Sequence, residues 1–461
     1  MSAVEIPAAL IPIREVFKGT PFEGRVLLAG GAVRDRLLGD ELGNDIDLVV
    51  EGDSLAAAQL IWEKGLAIAP PQTYPRFGTA LLRLPGVELE LAWARKESYD
   101  AQSRKPFTEA GTLIEDAFRR DFTVNALMQR LDTGEVVDLT GQGLTDLENK
   151  VLRTPLDPAK TFYDDPLRML RAVRFRHRLG FEYAAGLADA IQAEAHRLSV
   201  ISGERIRDEV DKMLILESAP EAMQDLLDLG LLDQFVPEFR QMVEVEQGRW
   251  HHLDVWQHTL LVLRNISSRD PILRWAALLH DVAKPATRII DEHGQTRFFG
   301  HETLGATMAR DIMLRLKYST KDAEIVASLV KNHMRLGTLA EPSKAALRRL
   351  IRDMGEQLEP LIELVEADAA SLRPGVRALD LDDLKKRLAE TEEETPRAQI
   401  RSPLSGNEIM ALLGIEASPR VGEIKHALEE LVVEGTLAPD DREGATLAAR
   451  RLAASWNASS G

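Results

Sequence analysis

The spacing of apolar positions changes character along this chain. In its first third, short apolar or alternating stretches recur. Val26-Leu27-Leu28-Ala29 is an unbroken apolar run that suits a buried strand. Residues 45–50 and 87–92 read as strands, and residues 77–84 pair with 87–92 as a hairpin across Pro85-Gly86. Residues 136–139 add a short strand. Between these, helical spacing predicts helices over 11–17, 32–38 and 54–64, the first two closed by Gly19 and Gly39. Later the helical period takes over, at 166–175, 203–214, 220–232, 255–266, 273–285, 381–394 and 406–414.

The first strand runs into Gly30-Gly31, a turn ahead of a helix, whose backbone N–H groups are suited to phosphate. Arg34 and Asp35 lie in the first turn of that helix. The next strand begins Asp45-Ile46-Asp47, and side chains two apart on a strand share a face. Two adjacent carboxylates repel each other unless a cation or a base neutralises them. On the hairpin, Glu88 and Glu90 also share a side. A third carboxylate from a neighbouring strand would complete a site for two Mg²⁺ ions, which prefer oxygen ligands.

Composition narrows the class. At 461 residues there is room for about three domains. The sequence has no cysteine, which excludes disulfides and thiolate zinc sites. It has no apolar run long enough to cross a membrane and no secretory signal, so a cytoplasmic protein is expected. A net charge of −17 argues against a protein that coats nucleic acid but leaves room for a local basic groove. The arginines for such a groove are clustered. Arg119-Arg120-Asp121-Phe122-Thr123-Val124-Asn125 sets guanidinium forks for phosphate beside Asp and Asn for sugar hydroxyls. After Asp164-Asp165-Pro166, Arg168, Arg171, Arg174 and Arg178 recur at spacings of three and four and form one basic helix face.

Together these stretches resemble the class II nucleotidyltransferases, the family of CCA-adding enzymes and bacterial poly(A) polymerases. The resemblance implies that Asp45, Asp47 and Glu90 are the catalytic carboxylates, with Asp45 and Asp47 as metal ligands. It implies that Gly30, Gly31, Arg34 and Arg120 hold phosphates and that Asp121 and Asn125 hold the ribose. Asp165 and Arg168 occupy the base-reading positions of the family's Glu-Asp-x-x-Arg motif, with Asp164 in place of the Glu. Arg171 and Arg174 extend the nucleotide and RNA surface. Trp93 stands where the family has a small hydroxyl residue. The polar stretch 101–114 corresponds to a flexible loop that the family uses to add the final A.

A second set follows. His258 lies on an apolar helix, His280-Asp281 ends another, and Lys284, His301, His333 and Asp368 come after. This set resembles the HD phosphohydrolase domain. The resemblance implies that His258, His280, Asp281 and Asp368 are ligands of a divalent metal. His301 and His333 would serve a second metal or a phosphate, and Lys284 would contact phosphate.

The expected architecture is α+β: a nucleotidyltransferase palm with a mixed sheet over 1–140, then an all-α neck over 141–245, an HD domain over 246–375 and a helical RNA-binding tail over 376–461. The expected function is template-independent addition of CCA, from CTP and ATP, to the 3′ end of tRNA by two-metal transfer, with an HD phosphohydrolase beside it. A poly(A) polymerase and an enzyme adding only CC or only A share every motif. A tRNA-binding protein with an inactive transferase and a working HD domain is the alternative of another class.

Overall fold

A computed structural model of the chain describes residues 5–98, 107–248, 253–336, 342–373 and 381–458. The chain divides into two compact units, residues 1–240 and 241–461.

The first unit is built on a sheet of β1 (Val26–Ala29), β2 (Asp45–Val50), β3 (Gln72–Tyr74), β4 (Thr79–Leu84) and β5 (Val87–Trp93). A separate pair, β6 (Arg95–Ser98) and β7 (Phe107–Ala110), follows, and β8 (Met128–Arg130) and β9 (Val136–Val137) complete the main sheet. Its order is β3-β4-β5-β2-β1-β8-β9. Only β2 and β5 run parallel; every other neighbouring pair is antiparallel. One face carries Ile46, Leu48, Leu82, Leu89 and Leu91, all buried. Helix α3 (Ser54–Glu63) covers that face with Ala57, Ala58 and Ile61. Asp53 starts this helix by accepting from the N–H groups of Leu55 and Ala56.

The opposite face is divided. Around Leu27, Ala29 and Val49 it is apolar and packs with Leu113 and Ala117 of α4 (Leu113–Phe118). Toward the start of β2 and β5 it bears Asp45, Asp47, Glu88 and Glu90, and all four are solvent-accessible. Helices α1 (Ile11–Phe17) and α2 (Gly31–Leu37) flank the sheet, and α2 begins one residue earlier than the periodicity predicts. The loop expected over 101–114 is only partly that. Residues 107–110 form β7 against β6, because Thr108 and Ala110 find a register opposite Glu97 and Arg95; 99–106 lie outside the described residues.

The rest of the first unit is α5 (Gly143–Glu148), α6 (Pro158–Asp164), α7 (Leu167–Leu179), α8 (Leu187–Glu194), α9 (Gly203–Leu214) and α10 (Ala219–Asp228). A short parallel pair, β10 (Val151–Leu152) and β11 (Glu182–Tyr183), joins them. Helix α7 is central. Met169, Leu170, Ala172 and Val173 are fully buried, and α6, α9 and α10 pack around it.

In the second unit, α11 (Val255–Asn265), α12 (Pro271–Leu279), α13 (Lys284–Thr287), α14 (His301–Arg315) and α15 (Thr320–Asn332) are followed by α16 (Lys344–Met354) and α17 (Leu358–Ala370). A small hairpin, β12 (Ile289–Ile290) and β13 (Thr296–Arg297), precedes α14. Helix α18 (Leu381–Glu394) spans the residues that the periodicity predicts. The last helices, α19 (Gly406–Leu413), α20 (Pro419–Glu434) and α21 (Arg442–Ala458), share a core of their own around Ile409, Ile424 and Leu428. Among the described residues no helix is long and apolar enough to cross a membrane.

Candidate functional site

Strand register sets the carboxylates. Across the parallel pair, Asp45 lies opposite Glu88 and Asp47 opposite Glu90. Paired positions share a face, so the alternation of charged and apolar residues puts all four acids on one side. Their surroundings separate the two glutamates. Glu88 is bonded to Arg83 at 2.8 Å in open solvent. Glu90 lines the same cleft as Asp45 and Asp47. Asp47 is accessible yet recessed. Loss of hydration raises its pKa, Arg120 opposes the rise and Asp45 adds to it. Glu90 is raised by the same loss of hydration and by Asp47. Carboxylates that raise one another, on a face that offers only oxygen ligands, suit a divalent cation.

The cleft has a volume of about 640 Å³ and is lined by eight arginines: Arg34, Arg95, Arg119, Arg120, Arg168, Arg171, Arg174 and Arg178. In a chain of net charge −17 this is a strong local concentration of positive charge. Buried acids fix several of these arginines in place. Asp116, in the first turn of α4, accepts from Arg119 at 2.6 Å and from Arg120 at 2.9 Å. Burial would raise the pKa of Asp116, but Arg120 and Arg119 outweigh it and hold the carboxyl below its ordinary value. Glu209 on α9 accepts from Arg174 at 2.6 Å. Phe175 offers its ring to Arg34, Arg171 and Arg174, whose guanidinium carbons lie 4.8, 5.2 and 4.2 Å from its centroid.

Gly30 makes the close approach possible. Its φ of 71° lies in the left-handed region, and a Cβ there would meet Arg120 Nη1 at 2.9 Å. Its own N–H donates to Leu127 O, so the first amide of the turn serves the sheet and is turned away from a ligand. Arg34 is buried. Its Nη1 donates to Asn125 Oδ1 and its Nε to Asp35 Oδ1 at 2.7 Å. Burial draws the pKa of this guanidinium below its usual value.

Asp121 and Asn125, expected at a ribose, line the cleft but are bonded within the protein. Asn125 Nδ2 donates to Asp121 Oδ1 at 2.9 Å, and Arg171 Nε donates to Asp121 Oδ2 at 2.8 Å. Burial works against ionised Asp121, yet Arg171 and Asn125 keep its pKa low. Asp165 and Arg168, expected to read the base, also line the cleft. Asp165 Oδ1 accepts from Leu167 N at 3.2 Å, and its Oδ2 lies 3.3 Å from Arg205. Arg168 donates from Nη2 to Arg119 O at 2.6 Å, which directs its guanidinium across to the α4 segment. Trp93 packs over Gly78, where any Cβ would collide with the indole at 2.0 Å. It is a wall of the sheet edge that a small hydroxyl residue would not form.

Sequence reasoning missed Asp116, Glu209 and Arg205. Asp116 had a local signal, because it precedes the two arginines by three and four residues on a helix. Glu209 and Arg205 had none, since the chain returns to α7 only through the fold.

In the second unit, His258, His280 and Asp368 form one group of candidate ligands, and Asp281, His301 and His333 form another. Asp281 lies between them, with Oδ2 3.1 Å from His280 Nε2 and Oδ1 3.5 Å from His301 Nε2. His280, His301 and His333 each place Nδ1 2.6–2.8 Å from a main-chain carbonyl: those of Ala277, Phe298 and Val330. A donor at Nδ1 leaves the lone pair on Nε2, directed into the cluster. The buried Nε2 of His280 faces Asp281, at 3.1 Å. This donor set fits a divalent metal. Lys284 Nζ sits 2.6 Å from Asp281 Oδ2 and donates to Gln247 Oε1 at 2.5 Å. Burial and neighbouring His280 lower the pKa of His333 to about 4, so that ring is neutral and able to act as a ligand.

Comparison with known proteins finds three family models along the chain. The family model described as Poly A polymerase head domain matches residues 26–153. That for a probable RNA and SrmB-binding site of polymerase A matches 180–242, and the HD domain model matches 249–373. An A-adding tRNA nucleotidyltransferase of Deinococcus radiodurans is 38% identical over 333 residues, 69% of this chain and 75% of that protein. A CC-adding tRNA nucleotidyltransferase of Thermus thermophilus is 34% identical over 430 residues, 91% of this chain and 92% of that one. A multifunctional CCA protein of Pseudomonas fluorescens is 33% identical over 368 residues, 75% and 84% of the two chains. The crystal structure of the Bacillus stearothermophilus CCA-adding enzyme in complex with CTP shares the fold, with a TM-score of 0.68 and 23% identity over 97% of this chain and 98% of that one. With relatives of this identity covered over most of their length, the chain belongs to the tRNA nucleotidyltransferase family, with a poly(A) polymerase-type head and an HD domain.

Proposed function

We propose that this protein adds C and A to the 3′ end of tRNA without a nucleic-acid template, completing CCA. The observation that carries this is a single cleft in which Asp45, Asp47 and Glu90 meet Asp165 and eight arginines, Arg168 among them. Residues 1–140 act as the catalytic head and 141–245 as the neck that reads the base, while 246–375 form the HD domain and 376–461 a tail that grips RNA. Asp45, Asp47 and Glu90 would hold two Mg²⁺ ions, which would make the RNA 3′-hydroxyl more acidic and neutralise the triphosphate.

Arg34, Arg119 and Arg120 hold the triphosphate. Asp121 and Asn125 shape the ribose pocket and keep Arg171 and Arg34 in position. The 3′-oxygen bonds to the α-phosphorus as the bond to pyrophosphate breaks in line, and the hydroxyl proton goes to solvent. Positioning and charge supply most of the rate. Asp165 accepts from the exocyclic amine that cytosine and adenine share, and Arg168 donates to the ring nitrogen or carbonyl beside it. We place the reaction in the cytoplasm, where tRNA is.

The test is incorporation into tRNA that lacks CCA, with CTP and ATP supplied separately and together. Full CCA addition is expected. Incorporation of neither nucleotide rejects the transferase, and long A tails make it a polymerase. The A-adding and CC-adding relatives favour a second reading, in which the chain performs one part of the sequence. Addition of A alone to tRNA ending in CC, or of CC alone, establishes that reading.

A further inference from the structure

The three carboxylates border two cavities. One is the arginine-lined cleft. The other, of about 530 Å³, lies over the open face of the sheet toward its β3 edge and shares Asp45, Asp47 and Glu90 with the first. Strand register draws its floor. Asp47, Glu90, Leu81 and Gln72 stand side by side across four strands, and Asp45, Glu88 and Arg83 form the neighbouring row. Leu81 is 38% exposed on this floor, which is unusual for a leucine in the middle of a four-strand row. Among the described residues the Arg83 side chain is bonded to Glu88 alone, in an exposed pair that is cheaply exchanged for another anion.

In-line transfer places the attacking oxygen and the departing pyrophosphate on opposite sides of the α-phosphorus. The arginines that suit a triphosphate all lie in the first cavity, so the attacking strand has to approach the carboxylates from the other side. The second cavity is on that side, is continuous with the same carboxylates, and offers one exposed apolar side chain, Leu81, beside one exchangeable cation. Resting on the transferase reading above, we propose that this cavity receives the 3′-terminal nucleotide of the RNA being extended, with Leu81 beneath its base and Arg83 on its phosphate. Both are positioning residues: they fix where the 3′-hydroxyl sits relative to Asp47 and Glu90.

Steady-state kinetics of full-length Leu81→Asp, Arg83→Ala and Arg83→Lys test this, with tRNA and nucleotide varied in turn. The KM for tRNA is expected to rise on the order of tenfold in the first two, the equivalent of about 1.4 kcal/mol, and to recover in Arg83→Lys. The KM for nucleotide should stay within twofold. Loss of one phosphate contact also lowers the slope of log affinity against log salt by about 1 in Arg83→Ala. An unchanged KM for tRNA in both variants, or a parallel rise in the nucleotide KM, overturns the assignment. A wild-type protein that extends no tRNA rejects the transferase reading and this cavity with it. A wild type that extends, beside variants that match it, rejects the cavity alone.

Discussion

Asp116 holds Arg120 by a 2.9 Å ion pair in which the carboxylate is almost wholly buried and the guanidinium reaches the cleft. The same carboxylate takes Arg119 at 2.6 Å, so one acid sets two cations that line the cleft. Replacing it by alanine leaves both arginines charged but free to turn toward water. We expect Asp116→Ala to reduce kcat/KM for nucleotide roughly 10–100-fold through misplacement. Equilibrium binding of tRNA should change little. Nucleotide kinetics of the variant, with circular dichroism to confirm folding, check this.

The carboxylates on β2 make a different prediction. Asp47 is recessed, and loss of hydration raises its pKa; a cation held beside it would offset that cost. Asp47→Asn keeps the shape and removes the ligand charge. Loss of several kcal/mol of transition-state stabilisation is the usual scale for such a ligand, equivalent to about a thousandfold or more in rate. Nucleotide addition should therefore vanish in a gel assay while tRNA still binds in a mobility shift. Addition at more than about a tenth of the wild-type rate would show that another group carries the metal.

The carboxylate pair was legible in the sequence because its signal is local. A period of two puts Asp45 and Asp47 on one face whatever the rest of the chain does. Alternation could not choose between Glu88 and Glu90, since both share that face; family resemblance pointed to Glu90, and in the structure Arg83 takes Glu88. The arginine face of α7 was equally readable from its spacing. What held those arginines was not. Arg171 meets Asp121 fifty residues away in sequence, Arg34 meets Asn125 across ninety-one, and Arg174 meets Glu209 across thirty-five. Helical period places a side chain on a face, but the partner opposite it depends on how the chain returns.

That last pair predicts a stability effect. Arg174 and Glu209 are both buried, and the guanidinium of Arg174 is also stacked on Phe175. Removing one partner leaves a buried charge uncompensated, which typically costs about 3–5 kcal/mol. Glu209→Ala should lose that much in urea unfolding. A Glu209→Ala, Arg174→Met double variant should regain a large part, because it removes the orphaned charge as well.

Glu430 on α20 accepts from Arg349 on α16 at 2.7 Å, and Arg352 bonds its other oxygen. These hydrogen bonds lower its pKa to about 2. A depressed carboxylate adds stability that is fully present above its unfolded value, about 4.3, and is lost as pH falls toward the folded value. The pair is partly exposed, so its share is about 1 kcal/mol or less. Thermal unfolding between pH 6 and pH 2 should show wild type and Glu430→Gln converging at the acid end and differing above about pH 4.5. A constant gap across that range would mean that the glutamate acts by packing alone.

The HD cluster separates a metal role from a structural one. His280 Nε2 is buried 3.1 Å from Asp281, and Asp281 and Asp368 lie with it among three further imidazoles. A bound divalent ion satisfies these donors and stabilises the folded unit by mass action, by about 2.7 kcal/mol at a hundredfold excess over Kd. Chelation with EDTA should therefore lower the unfolding temperature of the intact protein, and added Mn²⁺, Co²⁺ or Ni²⁺ should restore it. His280→Ala should abolish both the metal content found by mass spectrometry and that restoration. Phosphate release from 2′-phosphorylated nucleotides and ring opening of 2′,3′-cyclic ones should fall with it, while CTP incorporation into tRNA, proposed above to use Asp45 and Asp47, should continue. Phosphate release that survives in His280→Ala would place the hydrolysis elsewhere, and metal content that survives would leave the cluster a packed core of neutral imidazoles.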